Sequence, residues 1–391
     1  MRTYLHALGL INALGSGAQK VRAGLCVDSS GGIVACDDLV PGRRLRVAAV
    51  QEELPAIPPI YAKYNSRNNR LLQAAVEQIR PQIDTLLDRF GAARVAIVLG
   101  TSTSGILEGE QAVRVRNQTG AFPREFDYRQ QEISSPSEYL QRALAITGPS
   151  WTVSTACTSS AKAFASARRL LHLNVCDAVI VGGVDSLCRL TLNGFTALES
   201  MARNVCNPMS RNRDGITLGE GAALFIMSRE PGPVCLLGVG ESSDAYHISG
   251  PDPEGRGAEI AMRAALTDAK LDAGAVDYLN LHGTGTIQND LMESHAVARV
   301  FGLELPCSST KPLVGHMLGA AGATEMAFCW LLLTDNAAHT HLPPHVWDGE
   351  RDPALAPLSL CRQDDMPRDC HVMASNSFAF GGSNTTLIVG N

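Results

Sequence analysis

GPSWTVSTACTSSAKAFASARRLLHL, residues 148–173, changes its periodicity at a cysteine. Up to Ala156 it is a short strand-like run, WTVSTA. Beyond Cys157, small and apolar residues recur at three- and four-residue spacing, the pattern of an amphipathic helix. A strand-to-helix turn exposes the side chain at its apex, and the first helical turn offers it unpaired N–H groups. The positive helix end favours a thiolate by about 0.3–1 kcal/mol at an exposed site and by more where water is excluded. Cys157 is therefore a candidate nucleophile, and the helix end offers a route to activation without an adjacent base. A small buried cysteine at a helix start accounts for this one segment equally well.

Outward from that turn, short apolar or β-branched runs alternate with helical stretches. VAIVLG (95–100), CDAVIVGG (176–183), YLNLHG (278–283) and TTLIVG (385–390) read as strands, while 67–80, 157–172 and 258–270 read as helices. Alternation of this kind predicts an α/β protein with largely buried sheets. REPGPV (229–234) follows the strand-like AALFIM and holds two prolines and a glycine, which places a boundary between halves 1–233 and 234–391. No residue-level repeat relates the halves. Residues 335–371, rich in Pro, Asp and His, read as a long surface excursion.

With 391 residues, the chain exceeds the roughly 100–200 usual for one domain, so two domains or one duplicated unit are both open. Its 45% apolar and 18% charged content is that of a compact globular protein. The net charge of −6 carries no long like-sign run, which argues against a nucleic-acid surface. Eleven cysteines, an odd number with no CxxC pair, read as buried free thiols in a reducing, cytoplasmic setting. The opening MRTYLHALGLINALGSG is interrupted by His6, Asn12 and glycines and lacks an A-x-A site, so it does not read as a signal peptide. AFCWLLL (327–333) is far short of the ~20 residues of a membrane span. A nucleotide-binding GxGxxG fingerprint and a P-loop are both missing.

Three further segments carry polar groups suited to chemistry. In NLHGTGTIQNDLMESHAV (280–297), His282 closes a strand and opens a loop of small and hydroxyl residues. It has no second ligand at metal spacing, and His295 reads as a helix-surface residue. In SSTKPLVGHMLGAAGATEMAFCWLLL (308–333), Lys311 is one of only five lysines and stands five residues before His316. Such a lysine is paired, with Glu325 as the candidate, or biases His316 toward its neutral form. GAAGA in the same segment lets a helix pack closely on its neighbour. In HVMASNSFAFGGSNTTLIVGN (371–391), Phe378 and Phe380 precede Gly381 and Gly382, whose freedom permits a tight turn presenting a backbone N–H to an oxyanion.

Together TACTSS (155–160), RDGITLGEGAA (213–223), HGTGT (282–286), KPLVGHMLGAAGATE (311–325) and NSFAFGGSN (376–384) resemble the motifs of β-ketoacyl-acyl-carrier-protein synthases, the Cys-His-His class of the thiolase superfamily. LGLINALG (8–15) resembles the family's first strand, so the likeness spans the whole chain. It implies a thiolase-like five-layered αβαβα fold of two similar halves. Cys157 would take an acyl group from an acyl carrier protein, and His282 and His316 would hold the malonyl thioester carbonyl while CO₂ departs. The oxyanion would lie on the N–H groups of Cys157 and Phe380, with Phe378 and Phe380 at the gate of the acyl pocket. Lys311 would tune His316, Glu325 would support Lys311, and Thr284 and Thr286 would hydrogen-bond the phosphopantetheine arm.

The resemblance also implies that no cofactor or metal is bound, since the pantetheine arrives on the carrier. Lys63, Arg67 and Arg70 match the family's carrier-docking helix. The family usually forms dimers, here a homodimer or a heterodimer with a chain-length-factor-like subunit. Two departures stand out: Ala379 where the family commonly has glycine, which touches gating, and Ile216 where it often has phenylalanine, which is expected to affect a loop and not the chemistry. LGLINALG, GTSTSGI (100–106), LGVGESSDAYHISGP (237–251) and SFAFGG look most like ketosynthases of aryl polyene pathways. The rival readings are a chain-length-factor pseudoenzyme, which normally lacks the nucleophile, and a thiolase, whose second cysteine is replaced here by Phe380.

Overall fold

The computed structural model describes residues 2–27, 32–37, 39–40, 42–334 and 340–391. Its main sheet contains two copies of one strand arrangement. In the first, β1 (Thr3–Asn12), β2 (Val95–Gly100), β3 (Ser150–Val153), β4 (Ala178–Asp185) and β6 (Gly221–Ser228) lie in the order β1-β6-β4-β2-β3, β5 being the two-residue strand Leu218–Gly219. In the second, β7 (Val234–Ser243), β8 (Tyr278–Asn280), β9 (Pro306–Ser308), β10 (Val372–Ala379) and β11 (Ser383–Gly390) lie in the order β7-β11-β10-β8-β9. Both run antiparallel, antiparallel, parallel, parallel along that order. The copies join through an antiparallel contact that pairs Thr3 with Leu236. The duplication, invisible in residue identities, is plain in topology.

Helices sort onto these sheets by their apolar faces. α1 (Arg67–Gln78), capped by the Ser66 side chain, and α2 (Ser135–Ala143) cover the outer face of the first copy, burying Leu71, Leu72, Tyr139 and Leu140. α5 (Arg256–Ala269) and α6 (Ile287–Phe301) cover the outer face of the second, burying Met262, Met292 and Val297. Between the two copies lie α3 (Ser159–His172) and α7 (Ala321–Leu333), packed on each other. α7 buries every residue except Trp330, as a helix apolar on all sides must. Helix, sheet, helix pair, sheet, helix gives five layers. A Cβ on Gly322 would fall 2.8 Å from Ala161 Cβ, so the small residues of GAAGA are what bring α7 against α3.

α4 (Arg189–Ala197) and the small sheet of Ile33–Cys36, Leu45–Ala48 and β5 close the molecule near the strand ends. Of the excursion expected at 335–371, residues 335–339 lie outside the described residues. The remainder is not wholly superficial, because Leu355, Leu358 and Cys361 are buried. The N-terminal apolar stretch is β1, inside the sheet, and no helix among the described residues is long and apolar enough to cross a membrane.

Candidate active site

Cys157 follows β3 at a sharp reversal. Ala156 takes φ 51°, a left-handed conformation uncommon for alanine, and Ser159 N–H donates to the Ala156 carbonyl at 3.1 Å as α3 begins. His282 lies two residues beyond β8. Its backbone N–H and that of Gly283 each donate to one oxygen of Glu293, both at 2.7 Å, so a carboxylate on α6 grips the histidine loop. His316 follows Gly315 (φ 70°), and its N–H donates to the Thr217 carbonyl at 2.6 Å while its own carbonyl accepts from Gly219 N–H at 3.0 Å. All three side chains sit where the two halves meet.

His316 Nε2 is 3.0 Å from Cys157 Sγ. The two imidazoles stand edge to face, with centroids 5.2 Å apart at 85°, and Phe378 packs edgewise on His282 at 5.8 Å. Burial pushes the Cys157 thiol up to about 12, against the pull of Lys311. Burial, then the Lys311 charge, holds both histidines well below the usual imidazole range, and His316 lowers His282 further. Both rings are therefore neutral at physiological pH. Of the two routes to activation, the geometry favours a base: in so dry a site desolvation outweighs the helix end, and a neutral imidazole lies against the thiol. Lys311 Nζ donates to Glu325 Oε1 at 2.5 Å, as the pairing expectation required.

The donor atoms of Cys157, His282 and His316 lie within 4.8 Å of one another, close enough in principle to hold a metal ion. Their surroundings do not suit one. Metal-ligating histidines as a rule donate their second ring N–H to an acceptor, yet Nδ1 of both histidines has no hydrogen-bond partner among the described residues, and the Lys311 ammonium acts on the same rings.

Thr284, Thr286, Phe378, Ala379 and Phe380 line one cavity with the three central residues, about 680 Å³ including its open mouth. Thr284 and Thr286 share a hydrogen bond at 2.9 Å, and Thr286 also caps α6. Phe380 is 41% exposed and packs on Phe195 of α4 at 5.6 Å. Ile216 lines this cavity too, so its departure from the family pattern falls in the wall of the site and not in a neighbouring loop.

The docking trio separates. Lys63 lies over the Tyr64 ring, and Arg70 donates to Asn65 Oδ1 at 2.9 Å, both part-exposed. Arg67 instead turns inward onto Glu220, donating through Nε to Oε2 at 2.8 Å and through a second nitrogen to Oε1. Its side chain nevertheless stays 33% exposed in a groove that Arg70 also lines, so the ion pair and the surface share one residue.

Sequence reasoning misses the buried acids around the site. Asp185, fully buried at the end of β4, accepts from the Thr101 and Thr103 hydroxyls and from the N–H groups of Ser102, Thr103 and Ala320. Burial raises it despite those bonds. Asp290 accepts from Met209 N–H at 2.8 Å and Gly285 N–H at 3.3 Å. Burial pushes Glu293 up to about 7, opposed by Gly283 N–H and abetted by Asp290. One available signal is helical phase, since Asn289, Asp290 and Glu293 share the face of α6 that carries Met292.

Comparison with known proteins places this geometry. The Beta-ketoacyl synthase N-terminal domain family matches residues 46–231 and the C-terminal domain family residues 234–345. Nodulation protein E of Rhizobium meliloti is 35% identical over 76% of this chain and 75% of its own. 3-oxoacyl-acyl-carrier-protein synthase 2 of Rhizobium meliloti strain 1021 is 36% identical over 62% of this chain, and the match spans only 61% of that protein's length. A solved structure of the ketosynthase ApeO in complex with its chain length factor ApeC, from Xenorhabdus doucetiae, superposes with TM-score 0.95 at 46% identity, covering 100% of this chain and 98% of that one.

Proposed function

The chain belongs to the β-ketoacyl synthase family, and from that premise we propose that Cys157, His282 and His316 carry out decarboxylative condensation of a malonyl thioester with an acyl group on Cys157. The observation that carries the reading is the 3.0 Å contact of a neutral His316 with the Cys157 thiol, with His282 facing it across the cavity. In the first half-reaction the thiol proton passes to His316 Nε2 as sulfur attacks the acyl thioester, and from there to the departing pantetheine thiolate. In the second, with the His316 ring proton now on Nε2 in place of Nδ1, the malonyl C–C bond breaks, CO₂ leaves and the electron pair forms an enolate whose oxygen accepts from His282 and His316 N–H groups. The enolate carbon then attacks the Cys157 thioester. The oxyanion of the tetrahedral adduct lies on the N–H groups of Cys157 and Phe380, and its collapse releases the Cys157 thiolate, which takes a proton from solvent.

Lys311, held by Glu325, keeps the histidines neutral. Thr284 and Thr286 receive the pantetheine arm, which comes on an acyl carrier protein, so no resident cofactor enters the scheme. Lys63 and Arg70 offer the carrier its basic contacts. Likeness to a ketosynthase solved with its chain length factor supports a chain-length-factor-like partner subunit, and the stretches at 8–15, 100–106 and 237–251 support an aryl polyene, type II polyketide-like pathway. Abundant free thiols suit the cytoplasm.

The test is intact-protein mass after mixing wild-type or Cys157→Ala protein with an acyl carrier, followed by malonyl carrier. An adduct that requires Cys157 and is discharged into an extended chain is the expected result. Absence of adduct, alone and with candidate partner subunits, overturns the reading in favour of a pseudoenzyme.

A further inference from the structure

Glu220 is 1% exposed, and its carboxylate receives Arg67 from α1, the Val50 N–H at 3.1 Å and the Leu187 N–H at 3.2 Å. It is the residue immediately after β5. That short strand is also what His316 is fastened to: Thr217 takes the histidine's N–H, Gly219 donates to its carbonyl, and Leu218 pairs with it as a parallel bridge. The two segments touch backbone to backbone. A Cβ on Gly219 would lie 2.2 Å from the Val314 carbonyl oxygen, and one on Gly315 would lie 2.8 Å from Gly219 Cα. Little slack is left between the Glu220 carboxylate and the main chain of His316.

We propose that the Arg67–Glu220 pair is a positioning device for the reaction: by fixing residues 217–220 it sets where the His316 main chain sits, and so holds the ring nitrogen against Cys157. Arg67 spans the distance because its planar fork engages both carboxylate oxygens while also donating to the Val50 carbonyl at 3.3 Å. The arginine that sequence alone assigns to carrier docking thus serves the chemistry from behind. This inference rests on Cys157 and His316 being the reacting pair.

The test measures carbamidomethylation of Cys157 by iodoacetamide from pH 6 to 10 on the full chain, read from the mass of the Cys157 peptide after quench and digestion, since other thiols also alkylate. No carrier protein is present, so docking plays no part. Arg67→Met is expected to slow the reaction at pH 7.5 by about tenfold or more, the scale on which small misplacements act, with the rate recovering only as pH climbs. Arg67→Lys is expected to recover part of the loss. Arg94→Met removes another paired arginine, at the far end of β2, and is expected to lower the melting temperature with the pH profile unchanged. A wild-type profile in Arg67→Met, or a raised carrier KM with unchanged alkylation, overturns the proposal. Should Arg67→Met fail to fold, Arg67→Lys decides by the same criterion. If wild type reacts no faster than His316→Ala, the reading of the reacting pair fails instead, a separate result.

Discussion

Lys311 and Glu325 meet at 2.5 Å with neither side chain more than 3% exposed. Breaking such a pair from one side leaves an uncompensated buried charge, so Lys311→Met should cost about 3–5 kcal/mol of stability. It should also move the pH profile. The lysine is the second cause, after burial, of the depressed histidines. Its removal raises their pKa, and protonation then disables them at a higher pH. The acid limb of the condensation rate should move upward relative to wild type. Paired melts and rate profiles from pH 5 to 8 check both effects, and an unmoved limb would deny Lys311 its tuning role.

Glu293 offers a test through stability alone. Its folded pKa of about 7 lies above the ordinary carboxylate value, so its contribution is fully present below about 4.5 and is lost as pH rises through 7. Each pH unit between those two values is worth about 1.4 kcal/mol, which makes the loss across the window roughly 3.5 kcal/mol. Glu293→Gln keeps one acceptor for the N–H groups of His282 and Gly283 but turns an amide donor toward the other. The variant should be clearly less stable than wild type at pH 5, and the gap should narrow by pH 8. Calorimetric melts at successive pH values report the gap; a constant difference would mean that Glu293 ionises normally.

These acids also mark where sequence stops being informative. Cys157, His282 and His316 each sit at an element boundary among small residues, and the boundary itself is readable from a change of period. Glu293, Asp185 and Glu220 sit inside regular elements or tight turns, where an acidic residue reads as surface. Only tertiary structure reveals that each is surrounded by backbone N–H groups brought from distant segments, such as Ala320 onto Asp185. Arg67 escapes the sequence for the same reason. Its neighbours Lys63 and Arg70 suggest a basic face, while its partner lies 153 residues away. The twofold repetition of the sheet likewise lives in strand order and sense, which survive when residue identities do not.

Carrier docking can be tested apart from catalysis at α1 and the 3-10 turn Pro59–Tyr64 before it. Arg70→Glu and Lys63→Glu alter part-exposed charges and should raise the carrier KM several-fold at low salt while leaving kcat nearly constant. Because the Debye length falls from about 10 Å at 0.1 M salt to 3 Å at 1 M, the difference from wild type should shrink as salt is added. Steady-state kinetics at two ionic strengths are sufficient. An effect on kcat alone would place these residues elsewhere in the reaction.

The last turn of the site separates conformational strain from steric conflict. Gly381 and Gly382 take φ 83° and 74°, values that an alanine resists. A Cβ on Gly381 meets nothing within 4 Å, whereas one on Gly382 would lie 2.9 Å from Asp244 Cβ. That aspartate is fixed: its N–H donates to the Gly382 carbonyl at 2.8 Å and its Oδ1 accepts from Asn384 at 2.6 Å. Gly381→Ala should therefore cost about 1 kcal/mol from backbone strain alone, and the wild-type rate of Cys157 acylation should be largely kept. Gly382→Ala adds a clash that pushes the 380–382 turn away from Asp244 and carries Phe380 off Phe195. Its acylation rate should fall by more than its stability loss accounts for, most with bulky acyl groups. Equal effects in the two variants would show that the turn tolerates displacement, and that Phe380 is held in place by Phe195 instead.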